Sequence, residues 1–251
     1  MSDVKHERKM VSYKVNGDTI RAYLVVPEGA KSPMPAMIVV QEIWGLTDHL
    51  KDVTERVARE GYIALTPDLY SREGGTPQPP TMEVLRPWAH AIPDSRIVAD
   101  LRGAVDYLQT HDLVDAARIG VIGFCNGGTH ARMLAAEDRR IAAVVDFYGR
   151  THWLALTEAK PNHPIDLLAN LKCPYLGLFA GEDHSIPVEN VRELDRRLAH
   201  NPQHEVRIFA GAPHAFFNNT RPSYRADVAK EAWAHATQFL NRYLGRTGDT
   251  K

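Results

Sequence analysis

The chain has 251 residues, 44% of them hydrophobic, which is enough apolar material for one large domain or two small ones. Thirty basic residues against 31 acidic ones leave a formal charge of −1, which excludes the electrostatic footprint of a nucleic-acid or anionic-membrane binder and points to a small-molecule partner. The charged start "MSDVKHERKM" lacks the apolar core of a signal peptide, and no stretch approaches the roughly 20 apolar residues of a membrane span, so a cytoplasmic protein is expected.

In chain order, "MVSYKVNGDTIRAYLVVPEG" alternates like an antiparallel hairpin with its turn at "NGD". "PAMIVVQE" is a continuous apolar run, suited to a strand buried on both faces of a mostly parallel sheet. Thr47 or Asp48 can cap the helix "HLKDVTERVAREG", which carries apolar residues at Leu50, Val53, Val57 and Ala58 and stops at Gly61. The alternation continues with strand "YIALTPD", helix "SRIVADLRGAVDYLQTH", strand "RIGVIGF", helix "GTHARMLAAE" and strand "IAAVVDFYG". It closes with strand "PYLGLFAGED", helix "VENVRELDRRLAH", strand "HEVRIFAGAPH" and helix "YRADVAKEAWAHATQFLNRYL". Strands alternating with helices of this length predict a single α/β domain over 1–251, its parallel sheet covered by helices on both faces. Two Pro-rich segments, 71–94 and 150–173, interrupt the pattern and read as irregular loops that cover a site.

Ligands of an open α/β sheet sit beyond the carboxyl ends of its strands, where Glu42, Cys125, Asp183 and His214 all fall. Gly123-Phe124-Cys125-Asn126-Gly127 has the Gly-x-nucleophile-x-Gly form of a nucleophile elbow, whose glycines keep Cβ atoms away from the adjoining strand and helix. A helix N-terminus just after Cys125 favours thiolate. The alternative is a buried structural cysteine beside a Gly-rich turn. Chain order weighs against it: Cys125, Asp183, His214 repeats the nucleophile, acid, histidine order of α/β-hydrolases. His214 would be the general base and Asp183 the group that orients its imidazole, with Glu182 as the competing acid. Cys173, ahead of Pro174 at a buried strand, reads as an inert free thiol, and neither cysteine has the spacing of a disulfide framework or a zinc site.

"QEIWG", "PDLY", "GFCNGG", "GEDHSIP" and "GAPHAFFNNTRPSY", spread over 41–224, resemble the dienelactone hydrolase (carboxymethylenebutenolidase) family of α/β-hydrolases. The resemblance implies a sheet of about eight strands, a Cys125-His214-Asp183 triad and an active-site glutamate at Glu42. It also implies an oxyanion hole from the backbone N–H groups of Ile43 and Asn126. Beside Cys125, the Glu42 carboxylate is expected to disfavour thiolate and accept the S–H hydrogen bond until substrate displaces it. The chain departs from the family after the histidine: where members that open dienelactone carry serine and a carboxylate-clamping arginine, it has Ala215 and Asn218. Arg221, Arg72 and Arg86 are the candidate replacements, and because the arginine expected after His214 is absent, little preference for a carboxylate-bearing lactone over its neutral methyl ester is expected.

Trp44, Phe216, Trp88 and Trp153 are candidate pocket-lining aromatics. The resulting expectation is a hydrolase of small carboxylic esters or lactones, working through a cysteine thioester without metal or organic cofactor, as a monomer or small homo-oligomer. A broad carboxylesterase or thioesterase is the rival among enzymes, and a thiol redox sensor on the same fold is the rival outside them.

Overall fold

A computed structural model describes residues 6–30 and 33–245, so the first five residues of the charged N-terminal segment lie outside it. The opening hairpin is β1 (His6–Val15) and β2 (Asp18–Pro27), turning at Asn16 and Gly17, both with positive φ. Then come β3 (Met34–Val40), α1 (Asp48–Arg59), β4 (Ile63–Pro67), α2 (Met82–Ala91), α3 (Asp94–Gln109) and β5 (Val114–Phe124). The chain continues through α4 (Asn126–Glu137), β6 (Ile141–Phe147), β7 (Tyr175–Ala180), α5 (Val188–Leu198), β8 (His204–Phe209) and α6 (Ala226–Leu244).

These strands form one eight-stranded sheet in the order β1-β2-β4-β3-β5-β6-β7-β8, parallel from β4 through to β8 with β1 and β2 antiparallel. β3, β4 and β7 are buried along their whole length, which is why the sequence shows continuous apolar runs there. The edge strands β1 and β8 carry exposed positions. α1 turns Leu50, Val53, Val57 and Ala58 to the core, with the Thr47 hydroxyl accepting the Leu50 N–H.

The chain runs from β3 outward to β4, then returns to place β5 on β3's other side, so strand order reverses between β3 and β5. The loops after those two strands diverge there and leave a crevice. Glu42 and Ile43 follow β3, and Cys125 follows β5.

One of the segments read as irregular is partly helical. Within 71–94, α2 forms despite Pro87, with the Thr81 hydroxyl at its N-cap and Leu85 and Ala89 buried. Pro87 lies in the sixth position of a ten-residue helix, so its missing N–H costs one intrahelical bond of a short ladder. Segment 150–173 has a 3-10 helix at Pro164–Asn170 and an isolated bridge between Thr157 and Lys160.

Candidate active site

Cys125 stands at the N-cap of α4 with φ 55° and ψ −119°, a conformation that L-residues rarely adopt. The surrounding glycines are required by contact. A Cβ on Gly123 would lie 2.0 Å from the Gly127 oxygen, one on Gly127 2.2 Å from the Val40 oxygen, and one on Gly128 2.2 Å from Asp146 Oδ1. The strained turn is held at the Cys125 N–H, which donates to Phe147 O at 2.9 Å.

His214 Nε2 lies 3.1 Å from Cys125 Sγ, and its Nδ1 lies 2.6 Å from Asp183 Oδ2. The other Asp183 oxygen accepts the Ser185 and Ile186 N–H groups at 2.7 and 3.1 Å, which fixes the carboxylate's orientation. Glu182 is tied through its N–H to Ala212 O, while the carboxylate on His214 is that of Asp183. Burial works against a charged imidazole, but the Cys125 thiolate and the Asp183 carboxylate outweigh it and push the His214 pKa up to about 10. The charged imidazolium is therefore the favoured form of His214.

Ile43 and Asn126 both line the cavity in front of Cys125. Asn126 is the first helical residue of α4, so its N–H has no acceptor within the helix and is open to an anion.

Glu42 is buried and makes a different contact from the one expected. Its Oε2 accepts a hydrogen bond from Asn218 Nδ2 at 2.5 Å, and its Oε1 is buried without a hydrogen-bond partner among the described residues, while Cys125 faces His214. Asn218 thus gives the carboxylate a hydrogen-bond donor other than the Cys125 thiol. Burial raises the Glu42 pKa above the usual carboxylate range, opposed by the Asn218 hydrogen bond and the charges of His214 and Arg221.

The cavity has a volume of about 340 Å³ and reaches Cys125 and His214. Residues from both irregular segments line it, including Met82, Arg86, Pro87, Trp153 and Leu154. Of the candidate substrate-binding residues, Arg86 reaches the cavity wall. Phe216 does not: it is fully buried among Phe147, Tyr148 and Phe209, because the turn after His214 directs it into the core. Trp88 packs edge-on against Tyr70, and Trp44 packs on the small cluster of Ile43, Leu85 and Ala89. The Arg221 guanidinium lies 3.7 Å from the Trp44 ring centroid, outside the cavity lining, and Arg72 is spent on Asp18 and Asp100. Cys173 is away from the cavity, and burial pushes its pKa up to about 12.

Arg150, immediately after the end of β6 and its "DFYG" turn, is a cavity residue that sequence reasoning missed. Its N–H donates to Thr129 Oγ1, its carbonyl accepts from the buried Arg132, and its side chain donates to Ser185 O. Its only sequence signal was its place after a strand end. Neither Arg86 nor Arg150 has a carboxylate partner among the described residues, and no Asp or Glu lines this cavity. The described residues contain no cluster of three or more His, Cys, Asp or Glu side chains able to hold a metal ion, and no helix long and apolar enough to cross a membrane.

Residues 20–244 match the model of the dienelactone hydrolase family. A protein of Escherichia coli (strain K12) named "Putative carboxymethylenebutenolidase" is 36% identical over 236 residues, covering 92% of this chain and 85% of that protein. A Bradyrhizobium protein named "Probable 2-oxo-3-(5-oxofuran-2-ylidene)propanoate lactonase" is 34% identical over 93% of this chain and 94% of its own length. A crystal structure from Klebsiella pneumoniae, described as "Putative Dienelactone Hydrolase", superposes with a TM-score of 0.87 at 32% identity, covering 95% of this chain and all of that one.

Proposed function

Because the chain belongs to the dienelactone hydrolase family and is a carboxylic ester or lactone hydrolase, we propose that Cys125 is its nucleophile and that turnover passes through a thioester. The observation that carries this reading is the unbroken line Asp183, His214, Cys125, with contacts of 2.6 and 3.1 Å, opening on the cavity. The thiolate attacks the substrate carbonyl, and the oxyanion forms against the N–H groups of Asn126 and Ile43. The His214 imidazolium gives its Nε2 proton to the departing alcohol oxygen, leaving a thioester on Sγ. His214, now neutral, takes a proton from water, the resulting hydroxide attacks the thioester carbonyl, and the acid leaves as the thiolate and imidazolium re-form. Asp183 holds the imidazole tautomer and stabilises its charge throughout. The groups this sequence uses are all on the chain, and a free thiol of this kind suits the cytoplasm.

The single-domain reading over 1–251, with 71–94 and 150–173 covering the site, belongs to the same proposal. The substrate is a small ester or lactone, in keeping with the lactone named for the Bradyrhizobium relative. A redox-sensing thiol would have no use for the Asp183–His214 pair.

The test compares Cys125→Ala with Cys173→Ala on an activated aryl ester. Cys125→Ala is expected to lose on the order of 10⁴-fold or more in kcat, and Cys173→Ala to keep wild-type activity. Similar activity in both variants rules out Cys125 as the nucleophile.

A further inference from the structure

Segment 150–173 supplies cavity residues but has little regular backbone structure to hold them. What fastens it is one buried carboxylate. Asp94, in the first turn of α3, is 4% exposed. Its Oδ1 meets Lys160 Nζ at 2.5 Å and His130 Nε2 at 3.0 Å, and its Oδ2 accepts the Trp153 indole N–H at 3.0 Å. Its own N–H donates to Ala159 O at 3.0 Å. Lys160 Nζ also donates to Ile92 O at 2.8 Å and lies 4.8 Å from the Trp153 ring centroid. His130, Trp153 and Lys160 each line the cavity, and each is more than nine-tenths buried.

The mechanism above uses none of these groups. The bonds are mutually satisfied, so the cluster is a fastening and not a vacant ligand site. Its members come from three of the parts of the chain around the cavity: the α2–α3 corner, the first turns of α4 next to Cys125, and segment 150–173. A wall hung on side-chain bonds to a buried charge has two states, fastened or stranded, because an ammonium left buried without its carboxylate is strongly disfavoured.

We propose that Asp94 is a positioning residue for substrate selection, holding Trp153 and Lys160 against His130 so that segment 150–173 is a fixed, size-selective wall of the cavity. The ligand group it selects is a compact apolar part of the ester or lactone, since Ile43, Pro87, Ala89, Trp153 and Leu154 give the cavity an apolar part of its lining. Long acyl chains are excluded because the indole cannot move aside while its N–H is tied to Asp94. The proposal rests on the hydrolase reading, but not on which residue is the nucleophile.

The experiment measures kcat/KM for p-nitrophenyl butanoate and decanoate in wild type, Asp94→Asn and Trp153→Phe, together with amide hydrogen exchange over residues 151–163. Trp153→Phe removes the N–H bond and leaves a smaller aromatic ring, so with the exchange measurement it tests the fastening even where Asp94→Asn does not fold. The decanoate-to-butanoate ratio is expected to rise about tenfold in Asp94→Asn and by a smaller factor in Trp153→Phe, within the range that pocket fit gives for small changes in substrate size. Exchange over 151–163 should quicken in both. A merely structural role would lower both esters together and leave the ratio at its wild-type value, which overturns the proposal. Failure of wild type to cleave either ester would instead count against the hydrolase reading, and exchange would then decide the fastening alone: unchanged exchange in both variants overturns it.

Discussion

Gly127→Ala separates catalysis from folding in a way the contacts make calculable. A Cβ at Gly127 would lie 2.2 Å from the Val40 oxygen and 2.5 Å from the Gln41 oxygen. Even a 3.0 Å contact requires the start of α4 to part from the end of β3 by about 0.8 Å. Those two elements carry the proposed oxyanion donors, Asn126 just before Gly127 and Ile43 two residues after Gln41. Donors must come within about 2.7–3.1 Å of the oxyanion, so a parting of this size disables one of them, and loss of one donor costs about 10²–10³ in kcat. Stability suffers less. Overpacking costs about 1–3 kcal/mol, and replacing a helical glycine with alanine returns nearly 1 kcal/mol of it. Steady-state hydrolysis of p-nitrophenyl acetate, with thermal unfolding followed by circular dichroism, should show a collapsed kcat in a protein that is still folded at 25 °C. Iodoacetamide should still alkylate Cys125, since the thiol and His214 do not depend on the gap. A folded variant with kcat within about threefold of wild type would refute the reasoning, because the strand and helix would then part without cost to the chemistry.

Three further outcomes follow from the charges around the site. His214 is raised to about 10 chiefly by the Cys125 thiolate, acting against burial. The stability contributed by the raised His214 is therefore fully present below the ordinary histidine value of about 6.5 and lost as pH rises through about 10, and in Cys125→Ala the His214 titration followed by NMR should move to lower pH. Glu42 is raised, so its ionisation penalises the fold: its contribution is fully present below the ordinary carboxylate range and lost as pH rises through its raised value. Glu42→Gln should accordingly raise Tm at pH 7 and give no gain near pH 4, and a Tm difference independent of pH would show that its charge is not what the site strains against. From sequence, the absence of the arginine expected after His214 predicts little preference for a substrate carboxylate, but Arg86 and Arg150 stand in the cavity without carboxylate partners among the described residues. A carboxylate-bearing lactone should thus be preferred to its methyl ester, with Arg150→Met cutting the preference about 10- to 100-fold and Arg221→Met leaving it in place; equal loss in both variants would put the anion on the Glu42 side.

The fold was legible because β3, β4 and β7 are buried on both faces and so read as uninterrupted apolar runs. Cys125, Asp183 and His214 were legible for a related reason: each follows a strand end, and in a parallel sheet the strand ends gather on one side. The helix at 82–91 was hidden because Pro87 masks the Leu85 and Ala89 spacing of its buried face. Phe216 was misplaced because its position next to but one from His214 says nothing about which way the turn directs it, and Ala215, with φ 60°, reverses the chain between them. The Asp94 cluster left no trace in the sequence, since Lys160 and His130 reach it from 66 and 36 residues away through side chains on irregular or already core-like stretches. The Glu42 contact was missed for want of a rule linking positions 176 residues apart.

The central claim is a covalent bond to one sulfur. Mixing enzyme with excess p-nitrophenyl acetate, quenching in acid within milliseconds and mapping the peptides by mass spectrometry tests it directly. An acetyl group is expected on the peptide containing Cys125, appearing with the first burst of nitrophenol and removed by hydroxylamine as a thioester is. An acetyl group on any other side chain that forms and decays at the rate of turnover, with Cys125 left unmodified, would contradict it.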